Sequence, residues 1–349
     1  MTEKEFHNKI VWLTFIFGVL VVMVHAYNVD LYVSPGTGGA FAAGLERVQS
    51  LISAAMPTMA VPGFFMVSAY LFFRNVSWQN ITQKMGRRVG SVLVPYIAWT
   101  SLYYLLFSVA GNFPALWGML GRESVPFSLE GLADAIINYT YNPVLWYLKQ
   151  LIILIAAAPV VYVTMSRLWL GGGVLFLLLA VAGQGVIIPV LNLDALLYYS
   201  LGAYLAMHGR RLVEKKYGGS KSDQMKRYIL GLLGVITAVC LYIGMVRYSS
   251  IFMIVLFAVV SPISVWILLP SALPEAKPYM KFSLFLYAFH FLPVRAINKI
   301  GALLLPHNAV SAMAVYVILP VIVVLLTWGL AEFLKKKIPP LWKLLSGGR

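Results

Sequence analysis

Residues 10–29 read IVWLTFIFGVLVVMVHAYNV, an unbroken apolar run whose one ionisable side chain is His25. The hydrocarbon core of a bilayer takes about 20 apolar residues of helix, so this run predicts a membrane-crossing helix and decides the fold class. An ionisable group at that depth is expensive and normally faces protein or a water-filled cavity. The run is centred near residue 19 or 20, which puts His25 roughly 8 Å outward of the midplane at ~1.5 Å per residue. His25 is the first candidate for chemistry.

The rest of the chain agrees. Of its 349 residues 60% are hydrophobic and 11% charged, with a mean hydropathy of +0.82; soluble domains carry about 25% charged residues. Apolar runs at about 10–29, 50–73, 89–110, 144–163, 170–189, 193–208, 228–246, 250–270, 282–304 and 309–333 predict an all-α, polytopic membrane helix bundle with about ten spans. Pro57, Pro62 and Gly63 interrupt the second; such breaks are tolerated where neighbouring helices or a cavity satisfy the freed backbone.

The net charge of +15 is not a nucleic-acid signature, because the cations cluster between apolar runs. With the N-terminus inside, 21 of the 27 basic residues fall in cytoplasmic segments, among them Lys4, Lys9, Arg74, Lys277, Lys335, Lys336, Lys337 and Arg349. Arg47, Arg122, Lys149, Arg247, Arg295 and Lys299 fall outside or in outer halves of spans. The positive-inside rule then puts both termini in the cytoplasm. A basic loop at about 209–227 is expected inside and a longer loop at about 112–141 outside, its stretch 127–139 able to lie as a helix on the membrane surface. The first run carries no cleavage signature and is expected to stay as a helix. The one cysteine, Cys240, excludes a disulfide framework. No internal repeat stands out, and the whole chain, 1–349, reads as a single membrane domain.

Each candidate for chemistry carries two readings. His25 is either a general base, since neutral imidazole takes a proton from a hydroxyl near neutral pH, or a histidine satisfied by a neighbouring helix. Thr14, eleven residues earlier, shares its face. His290 in 285-FLYAFHF-291 is either part of a cavity or a packing histidine. Lys149 and Arg295 either snorkel to the interface or, with Trp146 and Tyr147, line an outward-opening polar cavity. Lys84, Arg87 and Arg88, in 84-KMGRR-88, either anchor the third span or cradle phosphates by charge and fork geometry. No phosphate-loop motif, spaced histidine metal pair or serine nucleophile elbow occurs, and no metal site is expected.

These segments, in this order, resemble the integral-membrane acyltransferase 3 family, whose members mostly O-acetylate sugars of envelope or exported glycans. The first helix ending 21-VVMVHAYN-28 is similar to the family's opening helix with its key histidine. The segment 61-VPGFFMVSAYLF-72, with Ser68 and Tyr70, is similar to its second helix. Arg87-Arg88 with 92-VLVPYIAW-99, 145-LWYL-148, 199-YSLGAY-204 and 285-FLYAFH-290 match four further elements. The resemblance implies acetyl-CoA as a cytoplasmic acyl donor, bound by Lys84, Arg87 and Arg88. It implies a sugar or glycan hydroxyl as acceptor and His25 as the base, in the cytoplasmic membrane. Tyr70, Trp146 and His290 are expected to line the reaction path.

The chain also departs from the family. Thr14 stands where an arginine is common, Ser91 replaces the second arginine of a spaced pair, and Ser68-Ala69 replaces Ser-Gly. An alternative from another class is a multi-pass transporter or flippase of envelope intermediates, with His25, His290 and Arg295 along its path. A membrane subunit without activity of its own is a third. The acceptor, the acyl group and the oligomeric state are not specified by the sequence.

Overall fold

Apolar runs form helices throughout the residues that the computed structural model describes: 1–33, 39–55, 57–117, 121, 124–217 and 220–348. Among them no β-strand occurs. Arg122 and Arg349, two of the cations weighed for topology, lie outside the described residues.

Among the described residues, six helical stretches have the length and composition to cross a bilayer: Glu3–His25, Gly39–Phe73, Ile81–Ala110, Lys221–Tyr248, Ile251–Leu268 and Ala309–Lys337. A seventh is the bent pair Pro143–Ala156 and Ala158–Met165, which turns by 64°; Pro159, lacking an N–H, stands at the start of its second arm. The remaining expected runs hold shorter helices, Leu168–Gly183, Leu193–His208 and the pair Ser283–Phe289 and Phe291–Leu304. The chain is an all-α, polytopic membrane protein.

The first helix begins and ends earlier than its apolar run. Thr2 and Glu5 form a capping box: the Glu5 N–H donates to Thr2 Oγ1 at 3.2 Å and the Thr2 N–H to Glu5 Oε2 at 2.8 Å. The helix therefore starts at Glu3 and its last residue is His25, not Val29. The ninth expected span, 282–304, is not continuous either, because its helix breaks at His290.

The chain divides into two compact units interleaved in sequence, one of residues 1–17, 57–86 and 150–281, the other of 18–56, 87–149 and 282–349. In the first, Leu193–His208 packs along Pro57–Phe73. Only glycine permits that approach at Gly202, where a Cβ would lie 2.3 Å from the Met66 carbonyl oxygen. Lys221–Tyr248 pairs with Ile251–Leu268 across a tight link in which Ser249 has φ 49°. Leu232, Ile236, Val239 and Ile243 of this pair's outer helix stay exposed, a face suited to lipid rather than water. In the second unit Val22, Ala26, Leu286, Val294, Tyr316, Leu319 and Val323 form a buried core. Val22 and Ala26 flank His25 in sequence, and Leu286 and Val294 lie one turn to either side of His290, so this core fixes both histidines.

Candidate active site

The break at His290 follows from Pro293. Proline has no N–H and clashes with the carbonyl four residues back, so the Phe289 carbonyl loses its helical donor. The Tyr103 hydroxyl reaches that oxygen at 3.1 Å and the Ala288 oxygen at 3.2 Å. Asn142 Nδ2 also donates to Ala288 at 3.0 Å. The Tyr287 hydroxyl donates to the Val144 carbonyl. Thus one proline frees the Phe289 carbonyl, and a tyrosine from another helix of the same unit satisfies it.

This break sets the state of the His290 ring. Its Nδ1 lies 2.7 Å from the Tyr287 carbonyl and 3.2 Å from that of Leu286. Carbonyls only accept, so Nδ1 carries the proton and Nε2 of the neutral ring is the lone-pair nitrogen. That Nε2 is buried and has no hydrogen-bond partner among the described residues. The ring it meets is that of His25, with centroids 5.3 Å apart and planes at 36°. Phe291 stands edge-on to His25 at 6.0 Å, and the Arg295 guanidinium lies 5.5 Å from the same phenyl centroid.

His25 ends its helix, where the carbonyl dipoles favour a positive charge. The turn beyond it is held by buried amides: Asn28 Nδ2 donates to Asn298 Oδ1 at 3.1 Å, Asn298 Nδ2 to the Ala26 carbonyl at 3.4 Å, and Gln49 Oε1 accepts the Asn28 N–H at 3.3 Å. Ser53 donates to the Met23 carbonyl at 3.1 Å. The sequence reading did not single out Gln49, Ser53, Tyr103 or Asn298. The one available signal was a polar residue inside an apolar run.

Of the expected site residues, the second unit brings together His25, His290 and Arg295, with Trp146 half-buried at the start of its own helix. Lys149 does other work. Its ammonium donates to the Ile137 carbonyl at 2.7 Å and faces the Tyr139 ring, closing the loop helix Leu129–Asn138. That helix is capped by Ser128 and matches the expected 127–139 segment.

Arg87 is exposed and lines a groove of about 370 Å³ with Ser91, Lys343, Gly347 and Gly348. The helix Pro339–Ser346 that brings Lys343 is tied down by Trp99 Nε1, which donates to the Leu345 carbonyl at 3.0 Å. Gly347, at φ 70°, meets the Ser91 carbonyl so closely that a Cβ there would stand 2.8 Å from it. The chain between Arg88 and Val94 is a π-helical turn, a departure frequent at functional sites. Arg88 is half-buried.

In the first unit Lys84 donates to the Phe72 and Arg74 carbonyls at 2.8 and 2.6 Å, capping the end of Pro57–Phe73. Thr14 donates to carbonyls of its own helix, Ile10 and Val11, and Ser68 is half-buried. Tyr70 is buried, lines a cavity of about 340 Å³ and donates to Glu214 Oε1 at 2.7 Å. Lys9, counted from sequence among the cytoplasmic cations, is buried on that cavity. Glu214 also accepts from Arg74 Nε at 2.8 Å and Arg210 Nε at 3.1 Å. Burial alone would raise its pKa, but the hydrogen bonds from Arg74 and Tyr70 and the charges of Arg74 and Arg210 hold it below the ordinary carboxylate range. The partners Glu3 and Glu214 in turn raise Arg74 above the usual guanidinium value.

Among the described residues no group of three or more histidine, cysteine or carboxylate side chains could hold a metal ion. Two imidazoles in contact, one of them with a fixed tautomer and a buried free nitrogen, suit proton transfer coupled to attack by a hydroxyl. No curated protein matches the chain, and no solved structure does. A family model described as an acyltransferase domain matches residues 8–332, and on that match the chain belongs to the acyltransferase 3 family.

Proposed function

We propose that this membrane acyltransferase moves an acyl group, in the simplest case acetyl, from acyl-CoA to a hydroxyl of a sugar or glycan of the cell envelope, with His25 as general base. The reading places the protein in the cytoplasmic membrane with both termini inside. His25 takes the proton of the acceptor hydroxyl as its oxygen attacks the thioester carbonyl. The tetrahedral oxyanion collapses, the carbon–sulfur bond breaks, and the departing thiolate receives that proton from the imidazolium. Arg295, whose guanidinium stands over Phe291, is the cation next along the same helix. A positioned base of this kind contributes about 10²–10⁴-fold to rate.

The observation that carries the reading is the buried, unpartnered Nε2 of His290 beside the His25 ring. It is an acceptor toward which the one N–H of neutral His25 can turn, leaving the other His25 nitrogen to take a proton, and such a partner fixes a base's tautomer. The groove of Arg87 and Lys343 is suited to the phosphates of coenzyme A, with Arg88 close in sequence and Lys84 helping to hold the preceding helix end.

The test is purified protein given labelled acetyl-CoA with and without glycan acceptor. The expected result is slow hydrolysis or acceptor labelling, lost by about 10²–10⁴-fold in His25→Ala while insertion and yield persist. Near wild-type turnover of that variant overturns the role of His25. Absence of any acyl chemistry in the wild type favours a transporter.

A further inference from the structure

Lys9 is 3% exposed and faces the cavity of about 340 Å³ within the first unit. Its ammonium stands 4.1 Å from the centre of the Trp266 ring. At the cavity's exposed edge Lys215 stands 4.9 Å from the Tyr217 ring. Among the described residues no carboxylate lines this space. Glu5 is paired with Lys216, and Glu214, which accepts from the lining Tyr70, is paired with Arg74 and Arg210. An aromatic face offsets only part of the cost of burying an ammonium. An anion lodged in the cavity would offset the remainder.

The other end of the cavity has the opposite chemistry. Leu13 and Phe17 follow Lys9 at intervals of four, on one helix face, and Val67, Pro262 and Ile263 continue the wall. Gly63 closes it: the Phe17 ring lies where a Cβ of residue 63 would be, 2.2 Å away. The space is thus cationic at one end and hydrocarbon-like at the other, and its volume falls near the lower end of small-molecule sites, about 300–1,000 Å³.

We propose that this cavity binds a single-chain amphiphile with one anionic head, the head held by Lys9 and Lys215 and the chain laid toward Phe17. The proposal does not depend on the acyl-transfer reading. The head chemistry, carboxylate or phosphate, can come from a fatty acid or from an alkyl phosphate. The experiment titrates the full-length protein, in nanodiscs of zwitterionic phosphatidylcholine, with radiolabelled lauric acid and, in a second arm, dodecyl phosphate. Saturable binding in either arm that uncharged dodecanol does not displace supports the site, and the tighter arm names the head. Lys9→Met is expected to weaken binding by about tenfold or more, Lys9→Arg to retain it, and Ile263→Trp to abolish it by filling the slot. If Lys9→Met fails to fold, the other two variants carry the test. Three results overturn the proposal: no saturable binding in either arm, unchanged affinity in Lys9→Met, or full displacement by coenzyme A without an acyl group, which would make the cavity part of the donor site.

Discussion

At the scale of single residues, two histidines could be picked from sequence because an ionisable group in an apolar run is conspicuous wherever it falls. Their pairing could not, since His25 and His290 are brought together by packing that no local pattern encodes. The same holds for Asn298, whose amide reaches Ala26 across 272 positions. The burial of Lys9 was not legible either, because it depends on the helix that the capping box of Thr2 and Glu5 starts at Glu3 and on what packs against it. The Arg87 groove yields a residue-scale prediction. Each charge-assisted phosphate contact is worth about 1.5–3 kcal/mol. The double substitution Arg87→Gln with Lys343→Gln should therefore raise KM for acyl-CoA tenfold or more and change kcat little, measured by initial rates over a donor series. Unchanged KM would return both cations to membrane anchoring.

At the scale of elements, apolar runs announce helices well and their ends poorly. The run 282–304 reads as one span because every residue around Pro293 suits a helix, yet the proline removes a donor exactly one turn after His290's neighbour Phe289. Only the partner of the orphaned carbonyl, Tyr103, reveals that the break is built in rather than tolerated. Tyr103 is buried, and Tyr103→Phe leaves the Phe289 carbonyl without its donor. An unsatisfied buried carbonyl costs about 1–3 kcal/mol, so Tyr103→Phe should lower thermal stability by that amount. Adding Pro293→Ala, which returns a backbone N–H to Phe289, should recover part of it. If the hydroxyl only fills space, Tyr103→Phe will be neutral and the second change will not help.

At the scale of the molecule, the spans and their family were legible because membrane crossing imposes length and composition on each run separately. The interleaving of three sequence segments in each compact unit was not, because it depends on which runs pack together. What stitches the first unit is polar and long-range. Met1 donates its ammonium to the Glu214 carbonyl at 2.8 Å, Lys216 meets Glu5 at 2.6 Å, and Arg210 donates to Asn75 at 2.6 Å. Glu214 is the hub, and its two arginines are unequal: the Arg74 side chain is 10% exposed and that of Arg210 44%. Exposed pairs contribute about 0–1 kcal/mol, whereas breaking a mostly buried one leaves a charge uncompensated and costs more. Arg74→Gln should therefore lower the melting temperature clearly more than Arg210→Gln. The folded Glu214 carboxyl sits below the ordinary value of about 4.3, so its contribution is complete above that pH and is lost as pH falls through the folded value. Amide exchange over 210–217 should rise on that acid limb in the wild type. Glu214→Gln, which has no carboxylate to protonate, should exchange faster at neutral pH and show no such limb; a wild-type limb that survives this substitution would assign the acid sensitivity to another group.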